Sequence, residues 1–217
     1  KQEAILTYIE KNKEKMITDL TGCLSIESVS QDKDKVEEAL DYVLRLAEDM
    51  GMKTEKLLDG QVGTVEIGQG SETLGILTHV DVVSPGNQAL WICHPFQGQV
   101  LDGRIYGRGA LDDKGPLIAR LHAMKAAMEE GRPFYKKVRM IIGTQEEVEW
   151  TDMDAYVKSY PLPDYGFTPD GEFPILNIEK GGVDAVIRFP LAPSTAQSGK
   201  IKGDGNEVYV NSISGGT

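Results

Sequence analysis

Residues 137–150 read KVRMIIGTQEEVEW. The run through Val138, Met140, Ile141 and Ile142 is apolar on both sides of an extended chain, which is the pattern of a buried strand. It leads directly into Glu146 and Glu147. Adjacent carboxylates repel each other, and one of them would serve solubility as well as two. On an extended backbone neighbouring side chains point to opposite sides, so the pair suits a division of labour better than joint chelation of one ion. One carboxylate would hold a metal and the other would move a proton. The plain alternative is a solvated acidic loop, with Glu149 adding to it.

Working outward, "TLGILTHVDVV" (73–83) is a second stretch that is apolar on both faces, as a central strand covered by helices must be. "KTEKLL" and "GTVEIG" precede it as shorter strands, and "GQVLDGRIYG" reads as a hairpin turning at Asp102-Gly103. "YGFTPD" and "PILNIEKGGVDAVIRF" read as later strands. Helices are expected over the amphipathic N-terminus, over "KGPLIARLHAMKAAMEEG" with Gly131 at its end, and over "TDMDAYVKSY". Another spans "SQDKDKVEEALDYVLRLAEDMG", where Val36, Leu40, Val43, Ala47 and Met50 keep helical spacing and Leu44 widens the face. Ser30 or Asp32 could cap it, and Gly51 suits its C′ position. Strands alternating with helices define an α/β fold, a layered domain with a mixed, mostly parallel central sheet flanked by helices.

The 217 residues are 40% apolar, enough for a sizeable core, and no run is long enough to span a membrane. Lys and Arg number 23 against 34 Asp and Glu, a net charge of −11 without a basic stripe, which argues against nucleic acid and anionic membrane as partners. The N-terminus lacks the apolar core of a signal peptide. Two cysteines, Cys23 and Cys93, read as ordinary thiols in a reducing compartment, so a cytoplasmic address is expected. Composition shifts near Phe189. Residues 1–189 are expected to form the main domain, with 190–217 as a Pro/Gly/Ser-rich linker and the start of an incomplete second domain. In that tail "EVYVNSI" reads as a lone strand.

Three further clusters sit at expected strand ends. In "THVDVV", His79 and Asp81 are two apart and share a face, so the carboxylate can orient the ring as a metal ligand; a packed strand-end His is the alternative. In "GRGALDDKGP", Asp112 or Asp113 could cap the next helix, and capping needs only one of them. The glycines there match neither a dinucleotide fingerprint nor a P-loop. In "TPDGEFP", Asp170 and Glu172 follow a strand, although Pro-Asp-Gly is also ordinary turn chemistry. Each cluster alone has a structural reading. Together they place His, Asp and Glu at successive strand ends of one α/β sheet, where such folds put their sites, with a ligand mixture suited to zinc and open to manganese or cobalt.

"THVDVV", "GRGALDDKGP", "GTQEEVEW" and "TPDGEFPILNIEKG", in this order and spacing, resemble the zinc aminoacylase/carboxypeptidase family of co-catalytic metallopeptidases, and within it the PepV-type bacterial dipeptidases. Trp91 before "HPF" and Trp150 after the Glu pair favour that branch. The resemblance implies that His79 ligates one zinc, that Asp112 bridges two, that Glu147 ligates the second and that Asp170 completes the first. It implies catalytic roles for Glu146, the general base, and for Asp81, beside His79. The implied reaction is amide hydrolysis of dipeptides or short peptides by a metal-activated water. N-acyl amino acid deacylation and a non-catalytic metal-binding relic are the competing readings; a homodimer is compatible with all three.

The sequence departs from the family pattern at Gln145, where Asp is usual, at Val148-Glu149 in place of Thr-Gly, and at His94 in place of Pro. The relatives' late His ligand and inserted lid have no counterpart in these residues. The chain is therefore expected to hold most of a catalytic domain and the beginning of a lid, with one metal bound better than the second and with activity incomplete. His122 is expected to be a core or surface residue of its helix.

Overall fold

The computed structural model describes residues 2–131, 133–171, 175–178, 181, 200–202 and 207–209. In chain order its main elements are α1 (Gln2–Leu24), α2 (Lys33–Asp49), β1 (Lys53–Leu57), β2 (Val62–Ile67), β3 (Thr73–His79), β4 (Gln99–Leu101), β5 (Arg104–Tyr106) and α3 (Lys114–Glu129). These are followed by β6 (Lys137–Gly143), α4 (Thr151–Ser159), β7 (Tyr165–Phe167), β8 (Lys200–Lys202) and β9 (Glu207–Tyr209). The chain divides into two compact units, Lys1–Glu172 and Phe173–Thr217. The expected division between residues 189 and 190 lies outside the described residues.

In the first unit the sheet order is β1-β2-β6-β3-β7. β3 pairs in parallel with both β6 and β7, whereas β2 is antiparallel to β1 and β6. Four of the five strands therefore run in one direction, and β2 alone opposes them. The sheet is mixed and mostly parallel, as the alternation of strands and helices predicts.

Successive residues of β6 face opposite layers. Met140 and Ile142 join one core cluster with Val65 of β2, Ile76 of β3 and residues of α2 and α3. Ile141 joins Val62 and Tyr156 of α4 in a second cluster. Two covered faces explain why β6 carries an unbroken apolar run. The α2 periodicity holds: Val36, Leu40, Val43, Leu44 and Ala47 are buried. Asp32 caps that helix by accepting from Lys35 N, while Ser30 binds elsewhere. At the other end Gly51 N donates to Glu48 O and Met52 N to Ala47 O, the two bonds of a Schellman motif. Asp102 and Gly103 both have positive φ, matching the tight turn expected between β4 and β5.

The ammonium of Lys114, the first residue of α3, is fully buried and donates to Cys23 O (3.0 Å) and Ile26 O (2.8 Å). It satisfies carbonyls at the end of α1 and so ties two helices together. Burial pulls its pKa below the ordinary lysine value. His122 is also buried, between Asp19 (2.8 Å) and Tyr8 (3.1 Å) of α1, and is a core residue. Both cysteines are free.

Two expectations are corrected in the second unit. "EVYVNSI" does not supply a lone strand: β9 pairs antiparallel with β8, drawn from the stretch read as linker. The intervening sequence, residues 203–206, contains Asp-Gly, a hairpin signal that a polar-composition reading passes over. Within "PILNIEKGGVDAVIRF", residues 175–178 form no strand, and most of the remainder lies outside the described residues. No helix among the described residues is long and apolar enough to cross a membrane.

Met140 stands between Val65 and Ile76 in register, and all three side chains are buried. Met140→Ala leaves a void in the middle of that row and should cost about 2–5 kcal/mol in urea unfolding, with the m-value unchanged.

Candidate metal centre

β6, β3 and β7 are neighbours running the same way, so their C-terminal ends open on one edge of the sheet. His79 is the last residue of β3. Glu146 and Glu147 follow β6, and Asp170 follows β7. Asp112 lies in the loop entering α3, joined to Asp113 by a cis peptide. Residues as far apart in sequence as His79 and Asp170 thereby meet at one edge of the sheet.

His79 is almost fully buried. Its Nδ1 lies 3.0 Å from the Asp81 carbonyl oxygen and 3.4 Å from Asp81 Oδ1. Both are acceptors, so Nδ1 carries the proton and Nε2 faces the open side. Three carboxylates surround Nε2: Asp112 Oδ1 at 3.2 Å, Asp170 Oδ2 at 3.4 Å and Glu146 Oε2 at 3.9 Å. Ligand atoms of His79, Glu146 and Asp170 all lie within 4.8 Å of one another. A four-coordinate cation with bonds of about 2.0–2.2 Å separates its ligand atoms by about 3.4 Å. The donor set is imidazole nitrogen and carboxylate oxygen at that spacing, and it fits a small divalent cation.

The electrostatics agree. Burial lowers the proton affinity of His79, but the bond to Asp81 and the charges of Asp113, Asp81 and Glu146 outweigh it and push the pKa from 6.5 up to about 10. Burial raises Asp113 to about 7, with Asp170 and Asp112 adding repulsion against the pull of His79. Glu146 is raised by burial and by Asp170, and Glu147 by burial and by Asp112. Converging carboxylates that resist ionisation are a site short of positive charge.

Asp81 organises this arrangement. Its fully buried carboxylate accepts from Glu146 N (3.1 Å), Glu147 N (3.2 Å) and the Ser30 hydroxyl (2.8 Å). Burial works against its charge, yet the bonds from His79 and Ser30 hold it below the ordinary carboxylate range. Glu146 and Glu147 sit in a turn, where Trp150 N and Val148 N both donate to Gln145 O, and not on the extended backbone expected from the sequence. The strand ends at Gly143, and Asp152 of α4 takes over: its Oδ2 accepts from Thr144 N (2.7 Å) and Gln145 N (3.2 Å). The two glutamates still part company, since Glu146 joins His79 and Asp170 while Glu147 is outside that group of three.

The capping reading of the Asp pair is also corrected. Asp113 occupies the N-cap position of α3 without a side-chain cap bond. Its Oδ2 accepts from His79 N instead, at 3.1 Å, and Oδ1 is buried without a partner. Gly115 permits the tight entry into α3, because a Cβ there would stand 2.0 Å from Ala110 O. Asp170 lies in the expected turn, where Gly171 N donates to Pro169 O, and its carboxylate stands 3.4 Å from His79 Nε2. Glu172 lies outside the described residues. His94 is exposed, its Nδ1 accepting from Phe96 N. The residues that the sequence reading missed are Ser30 as a partner of Asp81, together with Asp152 and Lys114. Only an acidic residue in the first turn of a helix hinted at Asp152, and nothing marked Lys114.

The chain belongs to the peptidase family M20/M25/M40, whose sequence profile matches residues 75–202. The Bacillus subtilis (strain 168) protein named "Putative dipeptidase YtjP" is 41% identical over 196 residues, covering 86% of this chain and 42% of that protein. A Staphylococcus epidermidis protein named "Putative dipeptidase" is 42% identical over 189 residues, covering 83% and 39%. The chain thus spans about two fifths of the length of these relatives. Among solved structures, human carnosine dipeptidase 1 superposes with a TM-score of 0.69 at 21% identity, over 78% of this chain and 41% of that one. The M20 family metallo-carboxypeptidase Sso-CP2 from Sulfolobus solfataricus gives 0.65 at 26% identity, over 70% and 36%.

Two measurements follow from the charges. The imidazolium of His79 stabilises the metal-free fold below about pH 6.5, and that contribution is lost as pH rises through about 10. A cation needs the neutral ring, so titrating Zn²⁺ into the chain at pH 8 should release about one proton, read by calorimetry in buffers of different ionisation enthalpy. Asp113 has the opposite sign for an acid: its raised pKa makes ionisation destabilising as pH climbs from 3.8 through about 7. Between pH 4 and pH 8 the stability of metal-free Asp113→Asn should therefore gain on the parent by up to about 4 kcal/mol in urea unfolding.

Proposed function

We propose that the chain carries the greater part of the active site of a metal-dependent dipeptidase. The observation that supports this best is the ring of Asp112, Glu146 and Asp170 around the Nε2 of a His79 whose other nitrogen is already taken by Asp81. Family membership and the dipeptidase names of two bacterial relatives point the same way.

His79, Asp112 and Asp170 would hold one zinc ion, and Asp112 with Glu147 would reach a second; manganese or cobalt suits the same ligands. When bound, the cation supplies Lewis-acid polarisation of the scissile carbonyl and lowers the pKa of water. The chain's own residues supply the proton chemistry. Glu146 is part-buried and its proton affinity is raised by that burial and by Asp170. A carboxylate so tuned accepts the proton of the attacking water and returns it to the leaving amine. Asp81 keeps His79 in one tautomer and fixes the backbone on which both glutamates stand.

Dipeptides and N-acyl amino acids share this chemistry, so the assay offers both, with and without Zn²⁺ or Mn²⁺. Metal-dependent release of amino acids from dipeptides is the expected result; turnover confined to N-acyl substrates would move the chain to the deacylase reading. Glu146→Gln should lower turnover by at least about 100-fold while leaving metal content near the parent's. Parallel loss of metal would make Glu146 a ligand, as its place beside His79 and Asp170 allows, and would pass the base role to Glu147.

A further inference from the structure

We propose that Ser30, in the loop between α1 and α2, is a positioning residue of the metal centre, acting through Asp81. The inference rests on the metallopeptidase reading for its purpose, and on hydrogen bonds for its substance. Ser30 is buried, and its hydroxyl stands 2.8 Å from Asp81 Oδ2 and 3.2 Å from Val82 O. A hydroxyl has one proton to give, and the shorter, charged acceptor takes it.

The loop is held in place for this contact. Ser30 N donates to Val82 O at 3.1 Å, Val82 N to Ser28 O at 2.9 Å, and the Ser28 hydroxyl to Val80 O at 2.6 Å. Val29 and Val82 form an isolated parallel bridge. Residues 28–30 thus lie as a short splint along residues 80–82. Helix capping does not account for Ser30, because Asp32 caps α2.

The consequence reaches the glutamates. Asp81 Oδ2 is shared between Ser30 and Glu147 N, and Oδ1 takes Glu146 N beside the His79 ring. Without the hydroxyl, Oδ2 keeps one donor, and rotation of the carboxylate slackens both amides and the imidazole together. A serine in a loop 51 residues away in sequence from Asp81 thereby sets the precision of the ligand cluster.

The test has a metal-free arm and a metal arm. In metal-free Ser30→Ala, amide exchange at Glu146 and Glu147, followed by NMR, should quicken about tenfold while core amides such as Leu121 and Met140 keep their protection. Zn²⁺ affinity, measured by chelator competition, should fall about tenfold, the low end of the effect of disturbing an outer partner of a ligand, here Asp81 beside His79. Ser30→Thr keeps the hydroxyl at a position that borders a cavity of about 370 Å³, so both values should return to within about twofold of the parent. Unchanged exchange at Glu146 and Glu147 in Ser30→Ala, uniform acceleration across the chain, or failure of threonine to rescue each overturns the proposal. A parent chain that binds no cation defeats the metallopeptidase reading by itself, and the exchange arm still decides Ser30.

Discussion

A fully buried carboxylate, Asp81, is the constraint from which the site follows. An ionised group removed from water costs several kcal/mol unless donors replace its hydration. Asp81 obtains them from segments that share no local structure: the α1–α2 loop through Ser30, the turn after β6 through the amides of Glu146 and Glu147, and its own strand end through His79. Satisfying that single charge forces these segments together, and the ligand atoms converge as a result.

The same economy recurs around the site. Asp152 accepts the amides of Thr144 and Gln145, Asp113 accepts the amide of His79, and Lys114 donates to two carbonyls near the end of α1. All are buried ionisable groups bonded to backbone groups. Charge-assisted bonds of this kind are directional, so they fix the loops with a precision that apolar contact alone does not supply. The sheet uses the opposite strategy. Its rows, such as Val65–Met140–Ile76, are apolar and tolerant, and they place strand ends without orienting any side chain there.

The positions of the chemistry-bearing residues were legible because each follows an element with a strong local signature. Strand β6 carries the apolar run Met140–Ile142, α2 has a helical stripe with a capping Asp and a closing Gly, and the β4–β5 hairpin has Asp-Gly at its turn. The turn that carries Glu146 and Glu147 was not legible, since it depends on Asp152 drawing in two amides from the next element. Nor was the true use of Asp113, which gives up a local cap bond for the amide of His79. The β8–β9 pairing was missed for a different reason: polar and glycine content describes a linker and a hairpin equally well.

The sequence by itself determined the α/β class, the order of strands and helices in the first unit, and which acids and imidazole end up at strand termini, because periodicity and end signals are local properties. Only the tertiary structure decided which of them touch. The parallel arrangement of β6, β3 and β7 brings their ends to one edge, and the buried charges there then select partners from loops far apart in the chain. That choice depends on desolvation, which acts on groups through space and leaves no trace in the spacing of residues along the chain.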